Sequence, residues 1–551
     1  MDPNTISVPG ARHILLRQVP TALSVLLIVF IAIPIMSVVI LALGPADGLW
    51  QGLLATVLPR YLLNTLILTI SVGLVAAVLG TVTAWLVTMC EFPGRRIFEW
   101  SLFLPLAVPA YIGAYALVDF FEYAGPLQTA MRATFGYSTA QDYVFPEIRS
   151  MGGAVLVLSA ALYPYVYLLV RIAFREQSVL PQDVARTLGA GPMRRFFRVG
   201  LSMTRPSIAI GTAIVMMETI SEFGTVEYFA VQTLTTGIFS VWLDGRNIAG
   251  ASQLALAALV LMGFLVGIER LGRRRMRFTR MVGSPAMSRR LRLQGLSSLG
   301  ACIFCLLPVG VGFLLPVGVV VGHSLGGWHL WFDDELAQSL ANTLLIGIVA
   351  SLMAIGMAIV LSYAAQLSAA PLLGVVMPLS VLGYALPGAV LGLGLLLPLA
   401  AVDHAIADSF EYLTGYDIGL ILTGSAAAIV LAHLVRFFAV AHGAAETAMN
   451  RVSPSLRSAA RSLGSSPHAA LMRVYLPIMR GSLFTGFVLV FVDCVKELPA
   501  TLLLRPFDFN TLATRVYERA SLENLSGAAP AALLVTLVGA FGAVLLARIN
   551  R

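Results

Sequence analysis

Two stretches decide how this chain is read: "SAARSLGSSP", Ser458 to Pro467, and "DVARTLGAGP", Asp183 to Pro192. Each reads as a helix stopped at a glycine, Gly464 or Gly189, with a proline, Pro467 or Pro192, near the start of a second short helix. The glycines are 464 − 189 = 275 residues apart, and Val199/Val474, Leu201/Leu476, Arg205/Arg480 and Glu222/Glu497 keep that spacing. Upstream, "LLNTLILTI" around Asn64 answers "LANTLLIGI" around Asn342 at a spacing of 278. A chain that repeats itself at such a distance is built from two similar halves.

Composition says where those halves lie. Hydrophobic residues make up 58% of the chain and charged residues 12%, with a mean hydropathy of +0.87, whereas soluble domains carry about a quarter charged residues. A bilayer-crossing helix needs about 20 mostly apolar residues. Such windows fall near 21–44, 62–90, 97–120, 150–172, 206–228 and 249–268, and again near 298–322, 340–366, 372–400, 417–440, 482–504 and 527–548. The first run is too long for the core of a signal peptide and reads as a retained helix. The expected fold is therefore an all-α integral membrane protein of twelve transmembrane helices in two six-helix repeats.

Charge orients the chain. Between the sets lies an Arg-rich linker, 270–297, with Arg270, Arg273, Arg274, Arg275, Arg277, Arg280, Arg289, Arg290 and Arg292 and no acid, which reads as cytoplasmic. Six spans return the chain to its starting side, so both termini, "EFPGRR" (Glu91 to Arg96) and both glycine-turn segments are expected on that side. The acidic loops, "FDDE" at 332–335 and the one holding Asp403, Asp408, Glu411 and Asp417, fall outside. The net charge of +8 then expresses topology rather than a nucleic-acid partner. An even number of spans per half makes the repeats parallel, related by an axis along the membrane normal. The expected division is a first half 1–269 with its loop at 181–206, the linker, and a second half 298–551 with its loop at 456–481. Cys302 and Cys305 have C-x-x-C spacing without a second ligand pair, and read with Cys90 and Cys494 as small buried hydrophobes.

The twice-used segment resembles the "EAA" loop of binding-protein-dependent ABC importer permeases, the type I, MetI-like fold. Asp183, Ala185, Gly189 and Pro192 carry the resemblance in the first half, and Ala459, Ala460, Gly464, Pro467, Leu476 and Pro477 in the second. The acid position is Ser458 in the second copy, and the Leu-Pro pair is Leu201-Ser202 in the first. The resemblance implies that each loop is a coupling helix docking on a separate cytoplasmic ATPase, with two copies of the ATPase for two loops. The chain has no G-x-x-x-x-G-K-[ST] phosphate loop, so ATP and Mg belong to that partner, and this chain is a non-catalytic subunit without a cofactor of its own. "SEFGTVEYFAVQTLTTGIFSVW" (221–242), "DCVKELPATLLLRPFDFNTLATRVYERAS" (493–521), "LPLAVPAYIGAYAL" from Leu104 and "LGYALPGAVLGLGLL" from Leu382 are similar to the fused permeases of ferric-iron importers. That similarity implies a bacterial inner-membrane protein served by a periplasmic substrate-binding protein. Thiamine or polyamine importers have related permeases. A proton-coupled secondary transporter is the alternative of another class, and it leaves the paired loops unexplained.

Ionisable groups inside spans cost roughly 2.5 to 3.5 kcal/mol each and normally face a pathway or one another. Glu218 and Glu222 are expected at i, i+4 on one face of a helix, and Asp493, Lys496 and Glu497 within another span. Lys496 is the only lysine in the chain. Two readings stay open: Lys496 neutralises the neighbouring acids, or the acids line a passage for a hard cation such as ferric iron, with no tightly bound metal, since a conducting site must release its ion. Pro105, Pro109, Pro378 and Pro387 are expected to break or kink spans, and Asn64 and Asn342 to cap or gate them.

Overall fold

The computed structural model describes residues 11–44, 57–176, 184–185, 187–275, 290–367 and 383–549. They are almost wholly helical, because hydrocarbon offers the backbone no hydrogen-bond partner and a helix supplies its own. Ten helices among them are long and apolar enough to cross a membrane, and an eleventh crossing is added if Arg95–Ala107 and Ala110–Phe135, bent by 95°, count as one. The chain is a multi-pass all-α membrane protein.

Several hydropathy windows are not single helices. The window 97–120 breaks at Val108, which is extended (φ −94°, ψ 116°) because a following proline disfavours the helical region. Pro109 (φ −54°, ψ 141°) then opens the helix Ala110–Phe121, as Pro387 (φ −56°, ψ 138°) opens Gly388–Thr414. The windows 206–228 and 482–504 break at Glu222 and Glu497, where Leu201–Ser221 and Leu476–Lys496 end and the short helices Gly224–Tyr228 and Pro499–Leu504 follow. The window 417–440 is displaced to Ala427–Met449. Pro378 lies outside the described residues. The first apolar run belongs to the helix Ala11–Ala42.

The duplicated stretches adopt one local pattern. Pro192–Arg195 and Pro467–Ala470 are short helices, Phe196–Gly200 and Leu471–Tyr475 are π-helical turns, and Leu201–Ser221 and Leu476–Lys496 are long helices, each bound displaced by 275. Further on, Thr233 with Thr236 and Thr511 with Thr514 form reciprocal capping boxes opening Leu234–Phe239 and Leu512–Ser521.

Packing divides the chain into two compact units, one of residues 1–40 and 341–509, the other of residues 41–340 and 510–551. They are not the sequence halves, because helices pack by the fit of their faces and not by chain order. In the larger unit Leu58–Met89 lies close along Met151–Glu176, and Tyr163, Tyr167, Phe103 and Leu68 fill the core. Gly80 permits that approach: a Cβ there would sit 2.7 Å from the Tyr167 amide nitrogen and from Val166 Cβ. A two-residue parallel ladder, Cys90–Glu91 with Leu291–Arg292, ties the end of the Arg-rich linker to the loop after Leu58–Met89. In the smaller unit Ala427–Met449 packs along Leu476–Lys496, with Gly486 against Ala444.

The close approach at Gly80 gives a test. Gly80→Val should destabilise the folded chain by about 1–3 kcal/mol, the usual range for overpacking. Gly263→Ala, inside the helix Ile248–Arg275 and where an added Cβ meets nothing within 4 Å, should not lower the unfolding temperature of the detergent-solubilised protein.

Candidate coupling elbows and translocation site

Each elbow is built on a left-handed glycine. In the first, the Leu188 N–H donates to the Val184 carbonyl (3.0 Å) and the Ala190 N–H to the Ala185 carbonyl (2.9 Å), with Gly189 at φ +79°. This is the closure of a Schellman helix end. In the second, the helix Pro454–Ser462 ends with the Leu463 N–H on the Ala459 carbonyl (3.0 Å) and Gly464 at φ +75°. A Cβ at either glycine would meet nothing within 4 Å, so glycine is needed for its backbone conformation and not for room. The preceding leucines, Leu188 and Leu463, are 81% and 84% exposed. Val184 and Met193 in the first elbow and Leu456 and Met472 in the second are exposed beside them.

The arm beyond each glycine differs from the separate surface helix read from the sequence. From Pro192 to Ser221 and from Pro467 to Lys496 the chain is helical throughout, passing through the π-helical turn without a break. The elbow is therefore the base of a span, and a push on its turn acts directly on that span. Asp183 lies outside the described residues; Ala459 is exposed and Ala185 half-buried.

At the other end of the same helices stand the repeated glutamates. Glu497 is 5% exposed, and its carboxylate accepts from the Ala500 N–H (2.9 Å), the Thr501 N–H (3.0 Å), the Thr501 hydroxyl (2.8 Å) and Arg436 Nη1 (2.9 Å). His433 Nε2 lies 3.5 Å from its other face. The carboxylate thus caps the helix Pro499–Leu504 and neutralises a guanidinium at once. Gly388 passes over this pair, since a Cβ there would lie 2.4 Å from Arg436 Nη1 and 2.7 Å from Glu497 Oε1. Glu222 plays the same capping part, accepting from the Thr225 N–H (3.0 Å) and hydroxyl (2.8 Å), while its own carbonyl accepts from Thr235 Oγ1 (2.8 Å).

Expectations for these residues change in part. Glu218 and Glu222 do not share a helix face, because Glu222 is extended and lies beyond the helix end. Glu497 is engaged by Arg436 and His433, which the sequence reading left aside although two basic residues inside "LAHLVRFF" called for a buried acid. Lys496 is half-buried, with Asp493 as its electrostatic neighbour. Of these residues Glu218 and Asp493, half-buried and 275 residues apart, lie within their helices. Asn64 and Asn342 do not stand at helix ends: Asn64 lies inside Leu58–Met89 and donates to the Gln232 carbonyl (2.9 Å), and Asn342 is buried within Asp334–Leu367. All four cysteines are free thiols, and among the described residues no group of three His, Cys, Asp or Glu could hold a metal.

The acidic "FDDE" loop is held by two arginines. Arg515 Nη1 and Arg519 Nη2 each lie 2.9 Å from Glu335 Oε2, and Arg515 Nη2 pairs with Asp333. Burial alone would raise the Asp333 carboxyl, but the Glu335 N–H (3.1 Å) and the Arg515 guanidinium outweigh it and hold it below the ordinary carboxylate value.

Two outcomes are expected. A carboxyl with a depressed pKa stabilises the fold above its unfolded value and loses that contribution as pH falls through the folded one. Thermal unfolding followed from about pH 6 to about pH 3 should show a loss of stability in the acid limb that Asp333→Asn reduces. Glu497→Ala, which strands Arg436, should destabilise by about 3–5 kcal/mol; unfolding at the wild-type temperature would remove the cap from its central role.

Residues 354–551 match the family described as the binding-protein-dependent transport system inner membrane component. The chain is 24% identical over 484 residues to the Fe(3+)-transport system permease protein FbpB 2 of Haemophilus influenzae, covering 86% of this chain and 87% of that one. It is 28% identical over 188 residues to the molybdenum transport system permease protein ModB of Escherichia coli, covering 33% of this chain and 79% of the relative. With the sulfate transport system permease protein CysT of Synechocystis it shares 27% over 219 residues, 40% of this chain and 73% of the relative. Relatives that are largely covered by about a third of this chain are the size of one half, and its 551 residues have the length of two. The chain is thus similar along most of its length to a transport permease, and its C-terminal segment matches the inner membrane component of binding-protein-dependent transport systems.

Proposed function

We propose that this chain is the fused permease subunit of an ATP-driven importer that carries ferric iron handed over by a periplasmic binding protein. The observation that carries the class is the pair of elbows: the same left-handed glycine, the same exposed leucine and the same continuous run into a span, 275 residues apart. Two equal handles suit two copies of a cytoplasmic ATPase, which bind and hydrolyse ATP with Mg. The cargo is supported by similarity along most of the chain to a permease named for Fe(3+). In this reading the chain crosses the membrane twelve times, as two parallel six-span halves joined by the Arg-rich linker, with both termini cytoplasmic.

Closure of the ATPase pair pushes on Gly189 and Gly464, and each continuous arm transmits the push to the break at Glu222 or Glu497. Those two glutamates hold the breaks, while Glu218 and Asp493 offer oxygen ligands of the hardness a ferric ion favours, held loosely enough to let it go. Asp183, Ala185, Pro192, Ala459, Ala460 and Pro467 shape the docking turns, and Lys496 sets the charge beside Asp493.

The test is uptake of labelled ferric iron by vesicles containing the whole importer, with thiamine and putrescine run in parallel. Iron uptake should vanish with a hydrolysis-dead ATPase; ATP-dependent uptake of another solute would keep the permease and discard iron, and uptake indifferent to ATP would discard both. Gly464→Val forces a β-branched residue into a left-handed turn, and should leave ATP hydrolysis running while uptake falls. Glu218→Gln together with Asp493→Asn should slow uptake with the complex still assembled; an unchanged rate would remove these acids from the path.

A further inference from the structure

Three guanidinium groups at the elbow end of the larger unit, Arg171, Arg195 and Arg290, carry a buried Nε without a hydrogen-bond partner, and a fourth, Arg95, turns its Nε to Glu91 (3.3 Å). They gather around two carboxylates. Glu91 pairs with Arg95 (3.3 Å) and Arg290 (3.5 Å), and Glu99 with Arg95 (3.5 Å), Arg171 (2.6 Å) and Arg175. Arg195 opens onto the same place from the base of the first elbow. Its neighbour Phe196 packs edge-on against Trp85 (5.1 Å), which packs against Phe174 (5.4 Å), next to Arg175. Arg195 also lies within electrostatic reach of Cys90, the residue before Glu91. Among the described residues no carboxylate is within ion-pair distance of Arg195.

Arg95 and Arg171 are 6% and 3% exposed, and Arg195 and Arg290 half-buried. A guanidinium stays charged at any accessible pH, and a charged donor left unmet away from water is costly. Five guanidiniums drawn around two carboxylates are an excess of positive charge, with forked donors whose geometry suits a phosphate. The elements that bring them together all end at one side: Leu58–Met89, Arg95–Ser101, Met151–Glu176, the turn Phe196–Gly200 and the ladder strand Leu291–Arg292.

We propose that this cluster binds a phosphate group, supplied by the headgroup of an anionic phospholipid, at the foot of the first elbow. Basic pockets between spans are natural seats for such headgroups. The bound phosphate links Arg195 on the elbow to Arg290 beside the ladder, so that lipid and linker together brace the base of the span Leu201–Ser221. The proposal concerns the chain in its membrane and does not depend on the cargo.

The test uses the full chain, with native mass spectrometry and thermal unfolding in nanodiscs of phosphatidylcholine with or without phosphatidylglycerol, and with inorganic phosphate titrated into detergent. Phosphatidylglycerol should be retained in preference to phosphatidylcholine and should raise the unfolding temperature. Arg195→Gln and Arg290→Gln should each weaken that preference about fivefold, as about 1 kcal/mol per basic residue at an anionic surface implies. Exposed Arg96 is the control, and Arg96→Gln should change nothing. Inorganic phosphate that displaces the lipid and reproduces its stabilisation would make soluble phosphate the source. Equal retention of both lipids by the wild type with no response to phosphate would overturn the site, whether or not a variant folds. Undiminished preference in the folded double variant would overturn it too.

Discussion

Within a bilayer a broken helix exposes N–H groups that only protein can satisfy, and this chain breaks two of its spans at Glu222 and Glu497. Each glutamate folds its carboxylate onto the first turn of the short helix that follows. Without that acceptor the break would be unstable, and the polypeptide could not turn from a span into the short helices and capping boxes beyond it. In the smaller unit the carboxylate is also the counter-ion of Arg436 and the neighbour of His433. A carboxylate with four hydrogen-bond donors on it is anchored, and it holds the break.

The elbows at the opposite ends of the same helices obey a different constraint. Gly189 and Gly464 stand in open space and are needed only because an L side chain resists positive φ. The turn they make ends one helix sharply and exposes a leucine, and the arm beyond runs unbroken into the span. Each of these helices thus has a capped break at one end and an exposed turn at the other. Similarity to a transport permease runs over 86% of the chain, and relatives named for molybdenum and sulfate match 33% and 40% of it.

Sequence reading was strongest where local chemistry is sufficient. The glycine turns, the proline at each helix start, the break before Pro109 and the 275-residue spacing are set by backbone rules that act over a few residues. It was weaker for span limits, since hydropathy averages over a window and passes through a break capped by a buried acid, as at 206–228 and 482–504. It missed Arg436 and His433 as partners of Glu497, because 61 and 64 residues of chain separate groups that only packing brings together. The basic cluster of Arg95, Arg171, Arg195 and Arg290 was equally out of reach, its members lying on four different segments.

By itself the sequence determined that this is a helical membrane protein, that it carries a motif twice, and where that motif turns, because hydrophobicity, φ preference and periodicity are local properties. Tertiary structure decided which acids are spent on holding the backbone, which arginines meet, and how the chain divides into compact units that cut across its own duplication. Those outcomes depend on distances between segments far apart in the chain, and such distances are settled only when helices pack face to face.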